Sequence, residues 1–470
     1  MRGAAARVAI VSVVVALSSA LGQPGAMAAE PLPNDPSMVP PPDPTKVERK
    51  NNVPCNGAVA ASDGPEVPTS QRALDFQSAW KFTRGEGQTV AVIDTGVAHH
   101  PRLPNLTGEA DLVGSTDGTE DCDMHGTLVA GLIAAQPKEG SGFAGGAPGA
   151  HIMSIRQSSA MYGPAGRTEE DPEKAANSEG AGNVLTLAAA IRRAAEKGAD
   201  VINISEVACR SAAMGMGSDD RYLGAAVNYA ATVHDAVVVA AAGNVGGGGC
   251  DNQNPALDPL DPADDTSNRV LTLASPAWHD EHVLTVGRVN ADGTPSEESL
   301  AGPWVDVAAP GTDLVSLMPG SDGLTNGTYG QNGNTNPVSG TSFSAPFVAA
   351  TAALVRARFP ELTAPQVIAR IEATAHAPAE GWNPVVGHGV VDPLAAVTAD
   401  VPPGGVPDDA PQSVNIAAPT PPEEIDPRPR KVALASVGTL AALLVLGVLG
   451  SFPLRRRLQV IADSRKDRKD

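Results

Sequence analysis

Short apolar runs, rich in β-branched residues and ended by turn formers, recur through the middle of the chain. "QTVAVIDTGV" runs into Asp94-Thr95-Gly96 and reads as a buried strand entering a turn. The pattern returns at "VINIS" (201–205), "AVVVAAAGN" (236–244) and "HVLTVGRV" (282–289). Between these runs the apolar period changes to that of a helix. "NVLTLAAAIRRAAEKGAD" predicts a helix capped by Asn183 and stopped by Gly198, and "RYLGAAVNYAATVHD" predicts another. "GTSFSAPFVAATAALVRARFPEL" and "TAPQVIARIEATA" predict two more, and "GHGVVDPLAAV" closes the domain near Val397. Strands that are apolar along their whole length must be covered on both faces. The alternation therefore predicts an α/β fold, a central and mostly parallel sheet flanked by helices in three layers. Such sheets bind ligands at the carboxyl ends of their strands, so reactive residues are expected just after them.

The flanks of this domain follow other rules. Residues 1–29 carry Arg2 and Arg7, then "VAIVSVVVAL", then small residues at Ala26 and Ala28, the pattern of a cleaved signal peptide. Residues 30–70 form a proline-rich arm whose prolines oppose regular helix and interior strand. The patterned domain spans 71–399, and a Pro/acidic tether covers 400–431. "VALASVGTLAALLVLGVLGSF" (432–452) is free of charge and long enough to cross a bilayer as a helix. More basic residues follow it than precede it, so the tail 453–470 is expected in the cytoplasm and the bulk of the chain outside, on the periplasmic side of the cell membrane. The polar stretch 161–182 is expected to be a loop.

The formal net charge of −20 excludes nucleic acid as a partner, because nothing would neutralise phosphates. Four cysteines, Cys55, Cys122, Cys209 and Cys250, form an even set in an exported chain and predict two disulfides, with three connectivities open. Four further residues carry candidate chemistry. Asp94 ends a strand, His125 opens the helix in "CDMHGTLVAGLIAA", Asn244 ends another strand, and Ser342 stands at the start of a long Ala/Val helix. Each alone is an ordinary turn or cap residue. Together they supply what a serine needs to attack an amide: a base, an acid to orient it, and donors for the oxyanion.

The blocks "VAVIDTGV", "HGTLVAGLIAA", "AAAGN" and "GTSFSAPFVAA" resemble the signature blocks of the subtilisin-like serine proteases, the subtilases, over roughly residues 71–397. The signal peptide, the arm with its cysteine, the two expected disulfides and the C-terminal membrane helix are similar to those of the mycosins, membrane-anchored proteases associated with type VII secretion in actinobacteria. The resemblance implies a subtilisin-like fold and a triad of Asp94, His125 and Ser342. It implies an oxyanion hole from the Asn244 side chain and the Ser342 N–H, and substrate binding by Ser205, Glu206, Val207 and Gly243. It implies protein or peptide substrates, a type VII secretion membrane complex as partner, membrane attachment through one helix, and no cofactor. "NISEVAC" departs from the Ser-Leu-Gly of many relatives, which implies a reshaped specificity pocket, and Leu128 stands where many carry a second histidine.

Secreted subtilases usually carry a folded inhibitory prodomain, and residues 30–70 are too short and too proline-rich for one. The arm is therefore expected to stay attached, pinned by a Cys55–Cys122 disulfide because Cys55 is its only cysteine and Cys122 lies close before His125. The other bond is then Cys209–Cys250. Pro346 is expected in the first turn of the serine helix, where a missing N–H costs little. "DPLDPADD" (258–265) reads as a solvated loop, and no metal is expected there. Two other readings compete. A lipase of the α/β-hydrolase type would need G-x-S-x-G and its serine first in the chain, whereas here Gly340-Thr341-Ser342-Phe343-Ser344 comes last. A structural role in a secretion complex can coexist with proteolysis.

Overall fold

The computed structural model describes residues 47–402, apart from 52, 165–179, 259–265 and 330–333, and also residues 437, 439–448, 453, 456 and 458. The chain divides into two units, 1–407 and 408–470. The first is built on a seven-stranded sheet of β1 (Thr89–Asp94), β2 (Leu106–Asp111), β3 (His151–Arg156), β4 (Val201–Ile204), β5 (Val237–Ala241), β6 (Val283–Val289) and β7 (Val307–Pro310), in the order β7-β6-β5-β4-β1-β3-β2. Every pairing in it is parallel. The strands progress to one side of β1 and then, from β4 onward, to the other. The end of β1 is thus a point where the strand order reverses, the place where open parallel sheets form a crevice.

The alternation hidden inside the apolar strands decides which helix covers which face. Val90 and Val92 point into a core shared with α1 (His125–Ala134) and with the 18-residue helix α4 (Thr341–Arg358). Ala91 and Ile93 point to the opposite core, with α2 (Val184–Glu196) and α3 (Asp220–Asn228). Because strand side chains alternate, one run of six residues supplies both cores. Helix α2 starts where the sequence predicts it, on an Asn183 cap that accepts from the Thr186 N–H while the Thr186 hydroxyl takes the Asn183 N–H. Helix α4 is buried along most of its length, and its Phe347 stacks near Phe76, ring centroids 6.1 Å apart. Truncating Phe347 to alanine would cost about 3–5 kcal/mol.

Sequence periodicity misses β2, β3 and β7. "LTGEAD" is too polar, "HIMSIR" mixes polar with apolar residues, and "VAAP" is short and ends in proline. It also misses the short helices Thr69–Leu74 and Phe76–Ala79. The arm lies along the domain as two strands. Val47–Arg49 pairs antiparallel with Tyr162–Pro164, and Gly57–Ala61 with Leu324–Tyr329. Disulfides join Cys55 to Cys122 and Cys209 to Cys250.

Several expectations fall outside the described residues: the signal peptide, most of the 161–182 loop, most of 258–265, and the tether. Of the span expected at 432–452, residue 437 and residues 439–448 are helical. Among the described residues, no helix is long and apolar enough to cross a membrane.

Candidate active site

Asp94 is the last residue of β1 and is fully buried. Its Oδ1 accepts from the Thr95 N–H at 2.7 Å and lies 2.7 Å from His125 Nδ1. His125 opens α1 after Met124, which takes a left-handed conformation at φ 73° to turn the chain into the helix. The next residue must be small. A Cβ on Gly126 would stand 2.0 Å from the Gly96 carbonyl oxygen and 3.1 Å from the Asp94 Cβ, so glycine lets the start of α1 press against the turn after β1.

Ser342 lies in the first turn of α4, 248 positions after Asp94 by subtraction of their numbers. Gly340, with φ 148°, admits no side chain cheaply, because a Cβ there would sit 3.1 Å from Ser342 Oγ and 3.5 Å from Asn244 Nδ2. The serine hydroxyl and the asparagine amide thus border one spot. Asn244 follows β5, and its Oδ1 accepts from the Thr341 N–H at 3.0 Å, which leaves Nδ2 as a donor. The Gly243 N–H donates to Thr341 Oγ1 at 3.2 Å, a second tie between the β5 turn and α4. The N–H groups of the first helical turn have no intrahelical acceptor, and the Ser342 N–H is among them.

Pro346 is not in the first turn. It is the sixth residue of α4, where its missing N–H would have bonded to the Ser342 carbonyl four residues back. The freed carbonyl accepts instead from Ser205 Oγ at 2.9 Å, and Asn203 Nδ2 donates to that same hydroxyl at 3.0 Å. The proline therefore leaves an acceptor on the serine itself, and the segment following β4 fills it.

His125 and Ser342 share no hydrogen bond. The imidazole lies against the Phe343 ring, with centroids 4.8 Å apart. Hydrogen bonds of this kind are commonly loose without substrate.

Carboxyl groups crowd the imidazole. Single ligand atoms of Asp94, His125 and Glu206 fall within 4.8 Å of one another, a grouping that could bridge a metal ion. Glu206 Oε1 accepts from Ser158 Oγ at 3.0 Å. Asp121 accepts from the Thr127 N–H at 2.8 Å, from Thr127 Oγ1 at 2.6 Å and from Thr95 Oγ1 at 2.8 Å. Asp123 accepts from Ser159 Oγ and from the Ala160 N–H. Burial pushes Asp121 up to about 7 despite its donors, and raises Asp123 and Glu206, the latter with help from the Asp94 charge. Burial alone would lower His125, but the charge and hydrogen bond of Asp94, with the charges of Glu206 and Asp121, outweigh it and lift the imidazole to about 9.

A cavity of about 480 Å³ opens beside His125. It is lined by Asp123, Glu206, Ser158 and Phe343, and by Asn56 of the arm, whose Nδ2 donates to the Asp123 carbonyl at 3.0 Å. Of the residues expected at a substrate site, Ser205, Glu206 and Gly243 gather round the Asp94, His125, Asn244 and Ser342 group. Val207 is half-buried against the core. The Cys209–Cys250 bond joins the segments behind Glu206 and Asn244. Sequence reasoning passed over Asp121, Asp123, Ser158, Phe343 and Asn56. The "DCDMH" spacing, two acids just before a histidine at a helix start, was the available signal for the first two.

The sequence profile of the subtilase family, peptidase S8, matches residues 85–389. Mycosin-4 of Mycobacterium tuberculosis is 46% identical over 462 residues, covering 96% of each chain. Mycosin-1 of Mycolicibacterium smegmatis is 43% identical, covering 96% of this chain and 99% of its own length. Among solved structures, the MycP3 protease from the type VII (ESX-3) secretion system is 42% identical with a TM-score of 0.70, covering 79% of this chain and all of that one. A chain of the intact ESX-5 inner membrane complex is 44% identical with a TM-score of 0.73, covering 89% of this chain and 98% of that one. With this coverage, and with Asp94, His125, Asn244 and Ser342 gathered at the strand ends, the chain belongs to the subtilase family of serine peptidases and, within it, to the mycosins.

Proposed function

We propose that the chain is a membrane-anchored serine endopeptidase working with a type VII secretion membrane complex, and that Asp94, His125 and Ser342 are its triad. Ser342 Oγ attacks the scissile carbonyl, His125 takes its proton and later returns it to the leaving amine, and Asp94 holds the imidazole in the required tautomer without itself being protonated. Asn244 Nδ2 and the Ser342 N–H receive the oxyanion. The observation that carries this reading is the Asp94–His125 bond of 2.7 Å, beside a serine and an asparagine amide that border the same point at Gly340.

The assignment of Ser205, Glu206, Val207 and Gly243 to substrate binding rests on the place of Ser205 and Gly243 against α4 and of Glu206 in the cavity wall. The domain limits at 71–399, the anchor at 432–452, the cytoplasmic tail and the periplasmic placement rest on the sequence pattern. The secretion partner rests on the ESX-3 and ESX-5 assignments of the relatives. Retention of the arm rests on its two strand pairings and its disulfide, and a mature N-terminus well beyond Asn56 would remove it.

A fluorophosphonate probe tests the chemistry. Labelling of the wild type and none of Ser342→Ala is the expected result. Equal labelling of both, or of neither, overturns the triad. Secretion restored by Ser342→Ala in cells lacking the protein would show that a structural role operates independently of proteolysis.

A further inference from the structure

The cavity beside His125 is acidic in a way the triad does not use. Asp123 and Glu206 both line it, and no lysine or arginine does among the described residues. Glu206 sits one residue after Ser205, whose hydroxyl is bonded to the Ser342 carbonyl, in the segment expected to pair with substrate. It reaches the same few ångströms of space as Asp94 and His125. One oxygen is held by Ser158, which fixes the group in the wall and leaves the other oxygen without an assigned task. Asp94, directly behind, is fully buried and keeps a second oxygen, Oδ2, with no hydrogen-bond partner among the described residues. The arm's Lys50 senses Asp123, while the charged neighbours that act on Glu206 are Asp94, His125 and Asp123.

Two carboxyls lining one cavity with no lysine or arginine in its described wall form an electrostatic hole that a positive side chain fills favourably. A buried acid that gains a cationic partner recovers the solvation it has lost, and a buried acid met by an apolar side chain does not. Specificity of this kind comes from the penalty imposed on the wrong partner as much as from attraction to the right one.

Resting on the peptidase reading above, we propose that Glu206 is a specificity-determining residue that selects substrates with a lysine or arginine side chain within two residues on the N-terminal side of the scissile bond. Glu206 selects through the substrate side chain, an effect separate from its charge on the His125 imidazole. Asp123 and the unpartnered oxygen of Asp94 add to the field without touching the selected side chain.

The test uses the full-length protein and peptidyl diphenyl phosphonates, whose phosphorus is attacked by the serine oxygen with loss of phenoxide, carrying lysine, norleucine or glutamate at the first or the second position before the phosphorus. Each labelling rate is divided by that of a small fluorophosphonate on the same preparation. Wild type is expected to react at least about tenfold faster with lysine than with norleucine at one of the two positions, and slowest with glutamate. Glu206→Gln, which keeps an oxygen for Ser158 to donate to, is expected to bring the lysine preference below about threefold, and Glu206→Lys to reverse it. Equal lysine and norleucine rates at both positions, or a preference that survives Glu206→Gln, overturns the proposal. If the small fluorophosphonate fails to label the wild type, the peptidase reading falls instead. Fluorescence anisotropy of the matched lysine and norleucine peptides on Ser342→Ala then decides the proposal without turnover, with equal affinities overturning it.

Discussion

Two groups of buried carboxyls lie in the same unit, and only one of them surrounds the proposed catalytic histidine. Around His125, four acids are held by named donors: Asp94 by Thr95, Asp121 by Thr95 and Thr127, Asp123 by Ser159 and Ala160, and Glu206 by Ser158. The second group is Asp280, Asp306 and Glu372. Burial, with the charges of Asp280 and Glu372, holds Asp306 well above the ordinary carboxyl range. Burial raises Glu372 to about 7 with help from Asp280, and burial alone raises Asp280 to about 6. Among the described residues, the side-chain hydrogen bond here is the Thr285 N–H to Asp306 at 2.6 Å. Perturbed acidity is therefore common to both groups. What distinguishes the first is an imidazole held 2.7 Å from a buried carboxylate, and a set of donors that fixes where each negative charge lies.

Substitutions can widen or close this contrast. The largest effect belongs to Ser342→Ala, expected to cost about 10⁶ in kcat, the scale established for subtilisin, a member of the same family. Asn244→Ala comes next at about 10²–10³ in kcat with KM little changed, again on a scale taken from subtilisin. Steady-state kinetics on a peptide substrate reads both, and a loss confined to KM would show that Asn244 binds substrate without serving the oxyanion.

The pH profile gives a smaller signal. His125 must be neutral to act as base, so kcat/KM is expected to rise with pH until about 9. Glu206→Gln removes one of the charges that stabilise the imidazolium, and the rising limb should move to lower pH. An unmoved limb would mean that Glu206 does not act on His125 through its charge.

The smallest effect tests the second group. A carboxyl whose folded pKa lies above its unfolded value is most stabilising below the unfolded value, and it costs stability as the pH rises through the folded one. Asp306→Asn retains an oxygen for Thr285 and removes that cost. The melting temperature should rise by a few degrees at pH 8, change little at pH 4, and leave kcat untouched. A fall in kcat would show that the two groups are not separate.

Much of the site was readable in advance because its members stand where strands end and helices begin. Asp94 closes a strand, Asn244 follows shortly after one that ends at Ala241, and His125 and Ser342 stand in the first turns of helices, all in segments with a strong apolar pattern. Their surroundings were not readable. Asp121, Asp123 and Ser158 lie in loops without period, and Phe343 looks like any core aromatic of α4. Pro346 lies beyond the first turn, against the sequence expectation, because sequence cannot tell which residue takes the first helical dihedrals. That placement decides whether a carbonyl is freed, and here the Ser342 carbonyl is.

By itself, the sequence determined the α/β class, the main covered strands and helices, and the residue types able to carry out acyl transfer, because periodicity and turn chemistry are local properties. The tertiary structure alone decided that Glu206 faces His125, that the arm's Asn56 lines the same cavity, and that Ser205 takes the carbonyl vacated by Pro346. Those contacts join segments separated by tens to hundreds of residues. They depend on strand order and on how closely glycines such as Gly126 let backbones approach, and neither is written in any short window of the chain.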